Sequence, residues 1–268
     1  WVGCVKFDKL FKAQGHKPIS SLIDEECTFI DAEAELTKAA EQLERSGLVA
    51  LPVVDKNFIL LGRFHAGLAM ETWRLEHEVQ QMATAGLNEE SDLFAPVKRS
   101  AATRGIWLGI NLLTAFLASA FIGMFEATLQ QVVALAVLMP VVASMGGIAG
   151  SQTLTLIVRG LALGQITRSN LKSLLSKELK VGGLNGILWA IVIGVVTLWW
   201  FENPMLGLVI GLAIIVNIFM AALSGVLIPV LLDKLRIDPA LSGSVILTTV
   251  TDIAGFVAFL GLGTLLLI

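Results

Sequence analysis

The run from Ala240 to Ile268, ALSGSVILTTVTDIAGFVAFLGLGTLLLI, carries a single charged side chain, Asp252, near its centre. About 20 apolar residues suffice for a helix to cross roughly 30 Å of hydrocarbon, so this run reads as a membrane span. A carboxylate at mid-bilayer costs on the order of 2.5–3.5 kcal/mol to insert, so an acid kept there points to function. Thr248 and Thr249 lie four and three residues before Asp252 and share its helix face, with Ser244 one turn farther back. Such a stripe can line an ion path. It can equally be a buried acid satisfied by its threonine neighbours, serving as a proton relay or a structural hydrogen bond.

Four further runs toward the N-terminus are long enough to span: Gly105 to Phe125, Gln130 to Val158, Val181 to Phe201 and Leu206 to Leu232. The charges between them sort by side. Lys98, Arg99 and Arg104 precede the first span, Arg159, Arg168, Lys172, Lys177 and Lys180 separate the second from the third, and Lys234 and Arg236 separate the fourth from the fifth. The turns after the first and third spans hold only Glu126 and Glu202. The positive-inside rule then places the N-terminus in the cytosol and the C-terminus outside, and an odd number of spans fits that pattern.

Composition agrees with a membrane domain bearing a water-facing appendage. Hydrophobic residues make up 55% of the 268 and charged residues 15%, with a net charge of −3. Charge is concentrated before residue 104. The expected organisation is a small α/β cytosolic module over 1–66, a connecting acidic helical segment over 67–103, and an all-α polytopic domain of five transmembrane helices over 104–268. No basic stripe is present, so the lipid bilayer is an expected partner and nucleic acid is not. The first residues include Lys6, Asp8 and Lys9 instead of an apolar core, so no secretory leader is expected. Cys4 and Cys27 lack metal-ligand spacing and are expected to be reduced and cytosolic, neither disulfide nor zinc site.

The second span is unusual. It is longer than a bilayer requires and contains Pro140 and the run SMGGIAGSQT from Ser144 to Thr153. Glycines permit close helix packing, and they also permit bending or an open backbone where a cavity covers it. With Gln152, Thr153 and Thr155 downstream, Gly146, Gly147 and Gln152 become candidates for a polar lining opposite Ser244, Thr248 and Thr249. All three histidines and both cysteines precede residue 105, so the membrane half offers carboxylate, hydroxyl and carbonyl oxygens. Those ligands suit magnesium, calcium or manganese better than zinc or copper. Magnesium keeps several of its waters, so a wide polar path with one acid per chain fits it, and a symmetric homodimer would place two Asp252 side chains across an axis. The absence of His and Cys from this half, and of any nucleophile and base pairing, argues against a membrane enzyme.

Three stretches carry a family resemblance: MPVVASMGGIAGSQTLTLIVRGLALG from Met139 to Gly164, DPALSGSVILTTVTDIAG from Asp238 to Gly255, and SDLFAPVKRS around Asp92 followed by WLGINLLTAFLAS from Trp107 to Ser119. They occur in order among five spans and resemble the MgtE family of magnesium channels. That resemblance implies a homodimeric magnesium channel of the bacterial inner membrane, its pore lined by the second and fifth helices. It implies Asp252 as the selectivity ligand and Asp238, at the cytosolic mouth, as part of a gating site. The family usually reads Gly-Gly-Asn where this chain has Gly146-Gly147-Ile148, and commonly Gly-Asn-Gln where it has Gly150-Ser151-Gln152. Those departures bear on the finer ion preference.

In the cytosolic part, Ala32 to Leu43 has helical spacing, and Ala50 to Val54 and Ile59 to Phe64 read as strands around Asp55-Lys56-Asn57. LPVVD from Leu51 and LGR from Leu61 resemble a CBS repeat, with Gly3 to Phe7 as the last strand of a first repeat whose remainder is absent. The string His65-Ala66-Gly67-Leu68 lacks the acid that commonly closes a nucleotide site in such repeats, which counts against nucleotide binding. Met70 to Leu93 reads as a helix rich in acids. It is either a solvated face or, through Glu76, Glu78 and Asp92 together with Asp238, a regulatory Mg2+ site closing the gate when cytosolic magnesium is high. The leading expectation is therefore magnesium movement into the cytosol. Transport of Mn2+, Co2+ or Ca2+, a proton-coupled carrier using Asp252, and a membrane-anchored CBS ligand sensor are the alternatives, the last ranked lowest because an anchor needs neither five spans nor a central acid.

Overall fold

A computed structural model describes residues 1–13, 15–24, 27–84, 94, 96–167 and 169–268, with the side chains of Gln80 and Thr84 outside the description. It divides into two compact units, Trp1–Gln81 and Met82–Ile268.

The first unit is a small α/β lobe. A short helix α1 (Phe7–Lys12) precedes strand β1 (Ile30–Asp31), helix α2 (Leu36–Ser46), strands β2 (Ala50–Val54) and β3 (Leu60–His65), and helix α3 (Ala66–Thr84). The sheet order is β1-β2-β3, with β1 parallel and β3 antiparallel to β2. Ala39, Ala40 and Leu43 of α2 pack on Ile30, Leu51 and Phe64 to form its core. Helix α2 ends because Gly47 adopts φ +64°, a left-handed cap that glycine enters without a Cβ penalty.

Two expectations for this lobe are corrected. Gly3 to Phe7 is not a strand: Cys4 makes one isolated bridge to Asp24, and the chain turns helical at Phe7. That bridge also brings Cys4 and Cys27 to a Cα separation of 5.7 Å, where they form a disulfide instead of free thiols. Beside it, the Lys6 and Lys9 amines lie 3.0 and 3.7 Å from the Asp24 carboxylate and hold its pKa below the usual range. Opening a cross-link between residues 23 apart removes a constraint worth about 3 kcal/mol in the chain-entropy account. Dithiothreitol is accordingly expected to speed hydrogen exchange in β2 and β3 of the intact chain; unaltered exchange would contradict a stabilising bridge.

The second unit is a bundle of five helices long and apolar enough to cross a membrane: α4 (Val97–Gly123), α6 (Val133–Ala162), α7 (Leu171–Phe201), α8 (Pro204–Lys234) and α9 (Pro239–Leu267). A short α5 (Glu126–Gln131) joins α4 to α6. Sequence and structure agree on the five spans. Helix α7 begins nearly three turns before the hydropathy signal at Val181, because Leu171, Leu174 and Leu175 pack on a cluster of Ile157, Val226 and Val230 while Lys172 and Lys177 stay exposed. Starts are set locally as well. The side chains of Asn203 and Asp238 accept backbone N–H bonds at the heads of α8 and α9, and each is followed by proline at the first helical position.

Helix α8 is the central element. Its packing on antiparallel α7 runs through small residues four apart, Gly182, Gly186, Ala190 and Gly194, which let the two backbones approach closely. Helices α6 and α9 also run antiparallel: a Cβ on Gly150 would meet Leu247, one on Gly243 would meet Leu154, and one on Gly263 would meet Leu135. At the end bearing α5, the Thr128 and Thr264 hydroxyls pair at 2.7 Å. Despite Pro140 and its glycines, α6 is continuous from Val133 to Ala162, so the backbone does not open where the sequence would permit it.

Candidate functional site

Asp252 stands on α9, partly exposed, with Thr248 and Ser244 one and two turns before it and also partly exposed. Its threonine neighbours do not cap it. Thr248 donates to the Ser244 and Val245 carbonyls at 3.1 Å, Thr249 to Val245 O at 2.7 Å and Thr251 to Thr248 O at 3.1 Å, each bonding back into its own helix. With the hydroxyl protons so committed, the threonine oxygens keep lone pairs free. No hydrogen bond or ion pair to the Asp252 carboxylate occurs among the described residues.

On neighbouring α6, Ile148, Ser151, Gln152 and Thr155 are exposed on one side. Ser151 donates to Gly147 O and Thr155 to Ser151 O, both at 2.8 Å, so here too the hydroxyls face outward with satisfied protons. The two candidate glycines differ. A Cβ on Gly147 would meet nothing within 4 Å, whereas one on Gly146 would fall 2.3 Å from Asn217 Nδ2 of α8. Gly146 therefore faces the bundle interior and Gly147 its open side.

Among the buried polar residues that escaped the sequence reading are Glu178 and Asn217. Glu178 of α7 is only 5% exposed. Thr153 Oγ1 of α6 donates to its Oε2 at 3.4 Å, and Lys177 Nζ lies 3.6 Å from Oε1. The available signal was apolar periodicity: Leu171, Leu174 and Leu175 put Glu178 on the same face, one turn on. Asn217 of α8 is fully buried and donates from Nδ2 to the Val142 carbonyl at 2.7 Å, while its Oδ1 has no partner among the described residues. Its signal was a lone amide inside the apolar run from Leu206 to Leu232.

The proposed regulatory acids are placed as follows. Asp238 is exposed and caps α9 through Oδ1, 2.8 Å from Ala240 N. Glu76 and Glu78 are exposed on α3, and Glu78 lies 3.8 Å from Arg74 Nε. Asp92 lies outside the described residues, as do Glu89 and Glu90. Exposed carboxylates are the right chemistry for a hard cation. Among the described residues no three His, Cys, Asp or Glu side chains converge within this chain to hold an ion.

A five-span bundle with an intramembrane acid on its open side defines the class, a multi-pass membrane protein. Residues 139–262, which cover most of the bundle, match the model of the MgtE family, described as a divalent cation transporter. It is 28% identical over 265 residues to the magnesium transporter MgtE of Bacillus subtilis, covering 98% of this chain and 58% of that protein. It is likewise 28% identical over 269 residues to MgtE of Thermus thermophilus, covering 99% and 59%, and 27% identical over 264 residues to MgtE of Enterococcus faecalis, covering 98% and 58%. The chain thus spans somewhat more than half the length of the relatives it matches.

Proposed function

We propose that this chain forms a homodimeric path for Mg2+ into the cytosol across a bacterial inner membrane, with its N-terminus cytosolic and its C-terminus outside. The observation that carries the reading is Asp252: a partly exposed carboxylate without a protein partner among the described residues, on a helix stripe of hydroxyls, deep in an apolar span. A lone structural acid would be expected to use its neighbouring hydroxyls, and these hydroxyls donate elsewhere. The names of the relatives, all magnesium transporters, favour magnesium as cargo. One acid per chain gives two across a two-fold axis, enough to attract an ion that keeps its own waters.

Uptake of Mg2+ into liposomes holding the intact chain tests this, with Mn2+, Co2+ and Ca2+ as competing cargoes. Magnesium uptake that is unaffected by a pH gradient supports a channel; uptake that requires one supports a carrier that moves protons through Asp252.

Regulation belongs to the same reading. Asp238, Glu76, Glu78 and Asp92 supply carboxylates whose mutual repulsion across a dimer would be relieved by bound Mg2+, favouring a closed arrangement when cytosolic magnesium is high. Electrical recordings are expected to show current falling as Mg2+ is raised on the cytosolic face, and falling less with Glu76→Gln and Glu78→Gln together. A current indifferent to cytosolic Mg2+ would contradict this gate.

A further inference from the structure

Asn217 lies where three helices of the bundle meet. A Cβ on Gly146 of α6 would fall 2.3 Å from its Nδ2, and a Cβ on Gly255 of α9 would fall 2.6 Å from the same atom. The amide therefore occupies space that only the bare faces of two glycines leave open. Its Nδ2 holds the Val142 carbonyl at 2.7 Å, one turn before Gly146, while Oδ1 is buried and unpaired among the described residues.

Stability alone is a poor reason for this amide. An unpaired buried acceptor is penalised, and an apolar side chain of the same shape would leave nothing unpaired on α8. What the amide supplies is register. It fixes α6 through a directed hydrogen bond and α9 through a close steric fit, and close-packed interiors pass a change at such a wedge to both neighbours. Gly255 follows Asp252 by three residues, about 4.5 Å along the helix axis. Moving the wedge moves the acid relative to the exposed side of α6.

We propose that Asn217 is a positioning residue for ion discrimination, setting the place of Asp252 by wedging between Gly146 of α6 and Gly255 of α9 while holding the Val142 carbonyl. The inference rests on the reading of Asp252 as the ion contact. Mg2+ gives up its waters reluctantly and Ca2+ accepts larger, more flexible surroundings, so a displaced carboxylate should alter how the two compete.

The test uses the full chain in liposomes and reads the ratio of Mg2+ to Ca2+ uptake beside the melting temperature in detergent. Asn217→Leu keeps the branched heavy-atom outline and removes the amide. It is expected to melt no lower than the parent and to change the ratio by about tenfold, the scale at which partners of a metal ligand act. If Asn217→Leu does not fold, the double variant Asn217→Ala with Gly146→Ala, whose new methyl takes up part of the vacated space, is read in the same way. A folded variant with the parental ratio overturns the proposal, and if neither variant folds the amide is structural only and the proposal falls. Asp252→Asn is measured alongside. Lost uptake there with an unaltered ratio in Asn217→Leu refutes the positioning role alone; unaltered uptake in Asp252→Asn refutes the reading beneath it, and the proposal with it.

Discussion

Gly207→Leu is expected to prevent the bundle from assembling. A Cβ at Gly207 would sit 2.7 Å from the Gly194 carbonyl oxygen, and one at Gly194 would sit 3.1 Å from the Gly207 carbonyl oxygen, so the two helix backbones touch directly at this point. Neither obstacle is the end of a flexible side chain that could swing aside. Overpacking in a well-packed interior typically costs about 1–3 kcal/mol, and a branched side chain driven against backbone belongs at or above the top of that range. The seam matters because α8 supplies the central packing surface for α6, α7 and α9, and in lipid the close approach of small residues is what draws helices together. Gly183 provides the control, since a Cβ there would meet nothing within 4 Å. In detergent, Gly207→Leu should lose its monodisperse peak and cooperative melt while Gly183→Leu keeps both. Equal behaviour of the two would show that the α7–α8 contact does not hold the bundle.

The five spans were legible because a bilayer imposes a length and a composition that few other environments do, and the runs around Phe121, Leu154, Ala190, Ile214 and Leu247 meet it without ambiguity. Helix ends were less legible. The start of α7 lies among lysines whose charges lower hydropathy while their neighbours Leu171, Leu174 and Leu175 are packed. The disulfide was missed for a related reason: two cysteines 23 residues apart carry no pairing signal until the bridge between Cys4 and Asp24 turns the chain back on itself. At the site, the Asp252 stripe was visible as a spacing of four along one helix. Which face each glycine presents was not, since Gly146 and Gly147 are adjacent letters pointing in different directions and only Asn217, some 70 residues away, tells them apart. Glu178 was hidden because an acid among lysines reads as surface, and burial follows from the tertiary partner Thr153.

The second large effect concerns Asp252 itself. Two unit charges 4 Å apart interact by about 4 kcal/mol at an effective dielectric of about 20, and the energy falls inversely with distance. A divalent ion held through a water shell doubles the charge and lengthens the separation, so one carboxylate contributes roughly that amount or somewhat more. Not all of it is lost when the acid is neutralised, because water and the free lone pairs of Thr248 and Ser244 still surround the ion. A net loss near 3 kcal/mol corresponds to about a hundredfold, at 1.4 kcal/mol per factor of ten. Asp252→Asn retains shape and packing, so its effect reports charge; Asp252→Ala adds the loss of volume.

The initial rate of Mg2+ entry into liposomes, compared between the intact chain and Asp252→Asn reconstituted at equal density, is the measurement that bears most directly on this account. A fall of about a hundredfold in a variant that melts like its parent is the result expected from the electrostatic argument. Equal rates in the two proteins would mean that the ion does not pass Asp252.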